Sequence, residues 1–157
     1  MMAFTFLTMT PYYARILRGT GISTVLAVYA KKDSDVSVLY TYENETLGSA
    51  CCLATLLVEG VGICTGYKPL STPFSAVQNF VQEALHTALK STPRVTMLGD
   101  FNLQPKAHSS MFAFLEDQGF INQLPLTVST TDKNTAIDIV YSNFEHYALD
   151  DKMNFSL

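Results

Sequence analysis

The sequence predicts a mixed α/β fold, because two different spacings of apolar residues occur in one chain. Up to about residue 67 the apolar residues form short runs separated by polar or glycine-containing turns, which is typical of β-strands. Between about residues 73 and 90 they recur every three or four positions, which indicates an amphipathic helix. A short apolar run then leads into Gly99-Asp100. Strands on both sides of a helix define the mixed class.

Four strands are predicted before this helix, each a short apolar run bounded by polar residues or glycine. They cover residues 23–29, 36–42, about 49–58, and 61–67. Glu43-Asn44-Glu45 is assigned to a turn between the second and third strands, and Glu59-Gly60 is a hairpin signal between the third and fourth. Residues 1–9 lack the basic flank of a signal peptide, so no cleaved leader is predicted.

Two helices and three further strands complete the predicted order. The first helix covers residues 73–90, and Thr92-Pro93 ends it. The second helix covers residues 109–118 and ends at Gly119. The three strands cover residues 94–98, 136–142 and 152–157.

Composition narrows the classes of protein that this chain can belong to. Apolar residues make up 48% of the sequence and charged residues only 15%, which argues against disorder. The net charge is −4 and the only adjacent basic pair is Lys31-Lys32, which argues against strong nonspecific binding to nucleic acid. No stretch approaches the roughly 18 apolar residues of a membrane span, so no membrane partner is expected.

The three cysteines indicate a reducing environment. Cys51, Cys52 and Cys64 lack the spacing of metal ligands, and any disulfide pairing would leave one of them over. Buried reduced thiols are therefore expected, in an intracellular compartment, nuclear or cytoplasmic.

Candidate site residues occur first where the strand at 94–98 ends. Asp100 and Asn102 lie two residues apart in Gly99-Asp100-Phe101-Asn102, and in an extended chain that spacing puts both side chains on one side. A carboxylate beside an amide suits phosphate-ester hydrolysis, because the carboxylate takes a proton from water while the amide orients the attacked group or a metal-bound water. The alternative is a strand-ending Asx turn.

Two further stretches contain candidates. Tyr67 and Lys68 lie in Gly66-Tyr67-Lys68-Pro69, directly before the long helix. The alternative for Tyr67 is a core aromatic residue whose hydroxyl reaches the surface. Asp138 is the one carboxylate of an otherwise apolar strand, and a buried carboxylate needs partners. Asp138 is thus either a structural hydrogen-bonding hub or a site residue.

In this order the motifs resemble the endonuclease/exonuclease/phosphatase family, in its retroelement-type (LINE-like) endonuclease branch. Its members have a Gly-Tyr-basic-Pro-Pro element, a helix, a Gly-Asp-Phe-Asn strand end, a second helix, a Thr-rich loop and an Ile-Asp-His-Ile-like strand. The similarity covers about residues 21–157. It implies a four-layer α/β sandwich, two packed sheets with helices outside. It further implies that residues 1–157 form a single partial domain, truncated at its N-terminal side.

The resemblance implies catalytic roles for four residues. Asp100 would position or deprotonate the attacking water, and Asn102 would bind the metal or phosphate side of the site. Tyr67 would donate a hydrogen bond to a phosphate oxygen, and Asp138 would orient a catalytic histidine further along the chain.

The resemblance also implies a substrate and a cofactor. DNA would be the substrate, contacted by Lys68 and by Thr131 in the Thr130-Thr131 loop. Mg²⁺ would be the cofactor, with Asp150 and Asn102 as candidate ligands.

Two departures from the family pattern predict that activity is weak or lost. The family begins with a strand ending in Asn and a strand ending in a metal-binding Glu, but the first twenty residues here contain no Glu, Asp or Asn. The family also ends in Ser-Asp-His, where this chain has Asp150-Asp151. In the family the histidine stabilises the negative transition state, whereas a carboxylate in its place would repel it. Losing one such hydrogen-bond donor lowers the rate by roughly 10²–10³.

The sequence thus predicts a degenerate, truncated, metal-dependent phosphodiesterase-like domain from a retroelement. One alternative is an active Mg²⁺-dependent DNA endonuclease that another chain completes. A second alternative is a noncatalytic module of the same fold that binds phosphate or protein. Sheet edges left exposed by the missing strands would favour self-association.

Overall fold

The computed structural model describes residues 4–9, 12–18, 25–31, 33–44, 51–103, 109–124 and 138–145. These residues form nine strands, two α-helices and one 3₁₀ helix, and the predicted mixed α/β class is confirmed. The strands make two sheets, one of three strands and one of six.

The three-stranded sheet is antiparallel and consists of β1 (Phe4–Met9), β2 (Tyr12–Arg18) and β3 (Val25–Lys31). Sequence analysis predicted only β3, with slightly different ends. β1 and β2 were not predicted. Their Phe, Tyr, Thr and Ile residues favour strands, and each segment gains a neighbour with which to pair.

The six-stranded sheet has the order β4-β5-β6-β7-β9-β8. Its strands are β4 (Val36–Asn44), β5 (Cys51–Val58), β6 (Val61–Tyr67), β7 (Val95–Asp100), β8 (Ile121–Asn122) and β9 (Asp138–Ser142). Neighbours are antiparallel except β6 and β7, which are parallel. The turn predicted to start at Glu43 is wrong, since Glu43 and Asn44 still pair with Cys52 and Cys51 of β5.

The parallel strands β6 and β7 are joined by a helical crossover, as parallel neighbours require. It consists of a 3₁₀ helix (Phe74–Ala76) followed by α1 (Gln78–Ser91). The α-helix thus begins a few residues later than predicted, at Gln78 and not at Pro73. The face of α1 that packs on the sheet is apolar and consists of Val81, Ala84, Leu85 and Ala88.

The second helix, α2 (Ser109–Asp117), is followed by Gly119 with φ of 78°, as the sequence predicted. Met111 and Leu115 of α2 join the same buried core as Phe101 and Leu103, which follow β7. The core therefore lies directly beneath the chain segment that carries Asp100 and Asn102.

Other expectations remain predictions. The described residues give a six-stranded sheet and two helices, and the four-layer sandwich and the single partial domain go beyond that. The predicted strand at 152–157 lies outside the described residues. Neither described helix is long and apolar enough to cross a membrane.

Candidate active site

Three of the four predicted catalytic residues form a row across adjacent strands. Tyr67, the last residue of β6, is the register partner of Asp100, the last residue of β7. Asp100 in turn is the register partner of Asp138, the first residue of β9. All three side chains are half-buried. We call Tyr67, Asp100 and Asp138 the strand-end row.

A pair of glycines next to the row brings β6 and β7 close together. Gly66 and Gly99 are register partners. A Cβ atom on Gly99, whose φ is 146°, would lie 2.2 Å from the Gly66 carbonyl oxygen, and one on Gly66 would lie 2.5 Å from Leu53 Cδ2. The chain therefore tolerates no side chain at this pair.

A hydrogen bond between Asp100 and Asn102, and not the alternation of a strand, sets their relative positions. The Asn102 N–H donates to Asp100 Oδ1 at 3.1 Å, and Asn102 has φ of 48°. The strand has ended, so the alternation argument for a shared side does not apply here. The bond is of the Asx type, so the structural alternative describes the local geometry.

Lys68 connects the row to this turn through its backbone. Its N–H donates to the Asp100 carbonyl oxygen at 2.9 Å, and its own carbonyl oxygen accepts from Asn102 Nδ2 at 2.8 Å. One of the two N–H donors of the Asn102 amide is thereby used, and the side chain still has a second donor and its Oδ1 acceptor for a ligand.

The Lys68 side chain makes contacts that sequence analysis missed. It is 2% exposed, and its ammonium donates to the carbonyl oxygens of Pro69 at 3.1 Å and Thr72 at 3.0 Å. The predicted substrate contact of Lys68 stays a prediction, but these donors already have backbone acceptors. A lysine followed by proline at the end of an apolar strand was the only available signal.

Burial and neighbouring charges set the protonation of Asp100. Burial raises its pKa, the Asn102 N–H lowers it, Asp138 raises it and Lys68 lowers it, and the net direction is upward. Burial lowers the pKa of Lys68, which Cys51 and Asp100 partly oppose. A raised carboxyl pKa suits proton transfer nearer neutral pH than an ordinary aspartate allows.

Only part of the predicted Mg²⁺ site lies within the described residues, since Asn102 is described and Asp150 is not. No group of three His, Cys, Asp or Glu residues forms anywhere in the described ranges. The row supplies two carboxylates, and the Lys68 ammonium already acts on Asp100 electrostatically, which opposes a second cation. Magnesium normally needs well-placed carboxylates together with phosphate or water oxygens.

Two predicted site residues cannot be placed. Thr131 and Asp150 lie outside the described residues, as does Asp151, which stands where the family has its histidine. Their substrate and metal roles stay predictions.

Comparison with known proteins does not establish a family. No protein-family model matches the chain, and no curated protein sequence matches it. Among solved structures, the chain is similar to the crystal structure of humanized D. rerio TDP2 carrying 14 mutations, with 13% identity and a TM-score of 0.44. The match covers 88% of this chain and 61% of that one. The chain thus spans less than two thirds of that protein, and at this TM-score the likeness carries no argument.

Proposed function

We propose that the chain is a degenerate phosphodiesterase-like domain that holds a nucleic-acid phosphodiester at the strand-end row and cleaves it slowly or not at all. The observation that supports this proposal is the register that aligns Tyr67, Asp100 and Asp138. A hydroxyl donor and two carboxylates, chosen from motifs far apart in sequence, meet at one end of three neighbouring strands.

Each residue has a chemical role that this geometry supports. Asp100, with its raised pKa, would accept a proton from the attacking water. The Tyr67 hydroxyl would donate to a phosphate oxygen, and Asn102 Oδ1 would accept a hydrogen bond from the same water. Asp138 would act through Asp100, which it faces across the ladder.

Weak cleavage follows from the charges around the row. A pentavalent transition state gains negative charge, and it needs donors or cations to stabilise it. Among the described residues, the cation that acts on Asp100 is the Lys68 ammonium, which is buried and bonded to Pro69 and Thr72. The charge of Asp138, the register partner of Asp100, would repel the negative charge that develops on the phosphate.

The cleavage test uses supercoiled plasmid and an abasic-site duplex, with Mg²⁺, Mn²⁺ or EDTA. We expect no metal-dependent nicking above that of Asp100→Ala. Robust nicking that needs the metal and disappears in Asp100→Ala would overturn the proposal. It would favour an enzyme completed by parts of the chain outside the described residues or by a partner.

The binding test uses a short fluorescent oligodeoxynucleotide at low salt. We expect weak, salt-sensitive binding, because the net charge is −4. Tyr67→Phe should weaken it by about ten- to a hundredfold, since hydrogen bonds to charged groups contribute roughly 1.5–3 kcal/mol. Tyr40→Phe is the matched control, because the Tyr40 hydroxyl lies on β4 and donates to Glu83 at 3.3 Å. The absence of any binding would sink the proposal.

Three finer points belong to the same proposal. The retroelement origin and the choice of DNA rest on the sequence resemblance. Self-association is proposed through β4, which stands at one end of the six-stranded order among the described strands. Light scattering over a range of concentrations tests it, and a monomer at every concentration would rule it out.

A further inference from the structure

A closed β-turn lies directly beside the strand-end row. The Thr72 N–H donates to the Pro69 carbonyl oxygen at 3.1 Å, which places Leu70 and Ser71 at the two central positions of the turn. Both central residues are exposed, whereas Pro69 and Thr72 are buried. The turn thus projects two residues into solvent from a buried base.

Hydrogen bonds from Lys68 and the buried residue Phe74 hold the turn in place. The Lys68 ammonium bonds to the same two carbonyl groups that flank the turn, those of Pro69 and Thr72. On the far side the chain passes directly into the 3₁₀ helix, where Phe74 is buried in the core. A buried charge-assisted bond pair and a core anchor hold the tip in one position.

The tip of this fixed turn is apolar without packing against the fold. Leu70 is 77% exposed, and the only other large apolar side chain described as strongly exposed is Ile121, at 62%. A polar residue would serve this turn equally well, since Asn, Asp and Ser are common in turns. Folding therefore gains little from leucine at this position.

Leu70 is close enough to the row to touch what binds there. The Lys68 N–H lies 2.9 Å from the Asp100 carbonyl oxygen. Leu70 is two residues further along, so its Cα lies at most about 7.6 Å from that of Lys68. A phosphodiester at Tyr67 and Asp100 would bring its own sugar and base within reach of the leucine side chain.

We infer that Leu70 is a substrate-contacting residue, which packs against an unstacked base of the DNA strand whose phosphodiester lies at the strand-end row. Proteins commonly set leucine and similar apolar side chains against or between bases. The inference rests on the proposed function and adds that the base, as well as the phosphate, is recognised.

The test compares two fluorescent ligands of equal length, an oligodeoxythymidine and an oligomer of abasic deoxyribose phosphates. Leu70→Ala should weaken binding of the base-bearing ligand about three- to tenfold, near or below the lower end of what a base gains by stacking on an aromatic side chain. It should leave the abasic ligand unaffected. Ile121→Ala is the matched control, because Ile121 pairs with Ser142, at the opposite end of β9 from Asp138. It should change neither affinity.

The outcomes separate the two proposals. If Tyr67→Phe weakens binding and Leu70→Ala does not, the inference about Leu70 fails while the proposed function stands. The inference also fails if Leu70→Ala weakens both ligands equally, or if Ile121→Ala has the same effect. If neither ligand binds the wild-type chain, both proposals fail. Melting temperatures of the two exposed-site variants should equal that of the wild type, which excludes unfolding as the cause.

Discussion

Asp100 and Asp138 are direct partners in the antiparallel ladder of β7 and β9. The charge of Asp138 disfavours the ionised form of Asp100. Burial is the main reason that the pKa of Asp100 is raised, and the charge of Asp138 adds to it. The register of β7 and β9 therefore contributes to the raised pKa of Asp100. The sequence indicated Asp100 for a different reason, its position at the end of a strand.

Removing the charge of Asp138 should lower the pKa of Asp100. In Asp138→Asn the repulsion is gone, while the Asn102 N–H and the Lys68 charge still favour the ionised carboxylate. Titration of the Asp100 carboxyl carbon by NMR measures the change. Asp117→Asn is the control, since Asp117 is exposed on α2. An unchanged Asp100 titration in Asp138→Asn would contradict the coupling.

The raised pKa also predicts how stability depends on pH. Because folding raises the pKa of Asp100, the folded state binds more protons than the unfolded state between the ordinary value of 3.8 and the raised value. Stability then falls as pH rises through that window, and the penalty is full above it. At neutral pH the free energy of unfolding of Asp100→Asn should therefore exceed that of the wild type. The difference should be no more than about 1 kcal/mol, because the Asp100 side chain is partly exposed.

Thermal melts at a series of pH values measure this difference. The advantage of Asp100→Asn should shrink as pH falls to the ordinary aspartate range. Asp35→Asn, at an exposed position before β4, should show no such trend. A variant that is less stable than wild type at neutral pH would show that the ionised carboxylate is net favourable in the fold.

Local signals in the sequence were sufficient for most of the six-stranded sheet. Glu59-Gly60 marked the hairpin between β5 and β6, where both residues have positive φ (48° and 78°). The three- and four-residue spacing marked α1, and the buried residues of α1 are among the apolar residues that recur at that spacing. These features depend on neighbours close in sequence, which is why one sequence revealed them.

Long-range features could not be predicted in the same way. The alignment of Tyr67 with Asp100 and of Asp100 with Asp138 is a register, set by pairing between distant segments. Only the family resemblance suggested that these residues belong together. The contacts of the Lys68 ammonium depend on the path of the chain at Pro69 and Thr72, which no periodicity describes.

Gly99→Ala should destabilise the fold severely. The new Cβ would lie 2.2 Å from the Gly66 carbonyl oxygen, and the φ of 146° is one that side chains rarely adopt. Either β6 and β7 separate or the backbone shifts, and we expect a loss above about 3 kcal/mol. Gly60→Ala is the control, because its φ is 78° but nothing lies within 4 Å. It should cost about 1–2 kcal/mol.

Urea denaturation of both variants gives the comparison. An equal loss of stability in Gly99→Ala and Gly60→Ala would mean that the positive φ of Gly99 explains the whole effect. Its close approach to Gly66 would then contribute nothing. If Gly99→Ala is as stable as wild type, the tight contact between β6 and β7 is wrong.

Lys68→Met should destabilise the fold while preserving the length of the side chain. The variant would remove the hydrogen bonds that the ammonium donates to the carbonyl oxygens of Pro69 and Thr72. A hydrogen bond to a charged group contributes roughly 1.5–3 kcal/mol. Lys90→Met, at an exposed position near the end of α1, should change stability by less than about 0.5 kcal/mol.

Amide hydrogen exchange locates the effect of Lys68→Met. The Thr72 N–H, which closes the turn, should exchange faster in the variant than in the wild type, whereas the N–H groups in the middle of α1 should follow global stability. Uniform acceleration across the chain would show that Lys68 does not act on this turn in particular.

The two thiols with raised pKa values should react slowly in the native protein. Burial raises the pKa of Cys51 to about 11 and that of Cys64 to about 12. Near pH 8 this lowers the thiolate fraction about a hundredfold for Cys51 and a thousandfold for Cys64. Both side chains are also sealed in the core, at 1% and 4% exposure. Alkylation by iodoacetamide, followed by peptide mass spectrometry, should therefore be slow until urea unfolds the chain.

A thiol introduced by Ser91→Cys, at an exposed position at the end of α1, provides the reference rate for an accessible cysteine. It should react at the ordinary rate in the same sample in which Cys51 and Cys64 remain unmodified. Because Cys51 lies on β5 and acts electrostatically on Lys68, its labelling also reports on the packing beneath the candidate site. Rapid native labelling of Cys51 alone would mean that this part of the sheet opens independently of the core around Cys64.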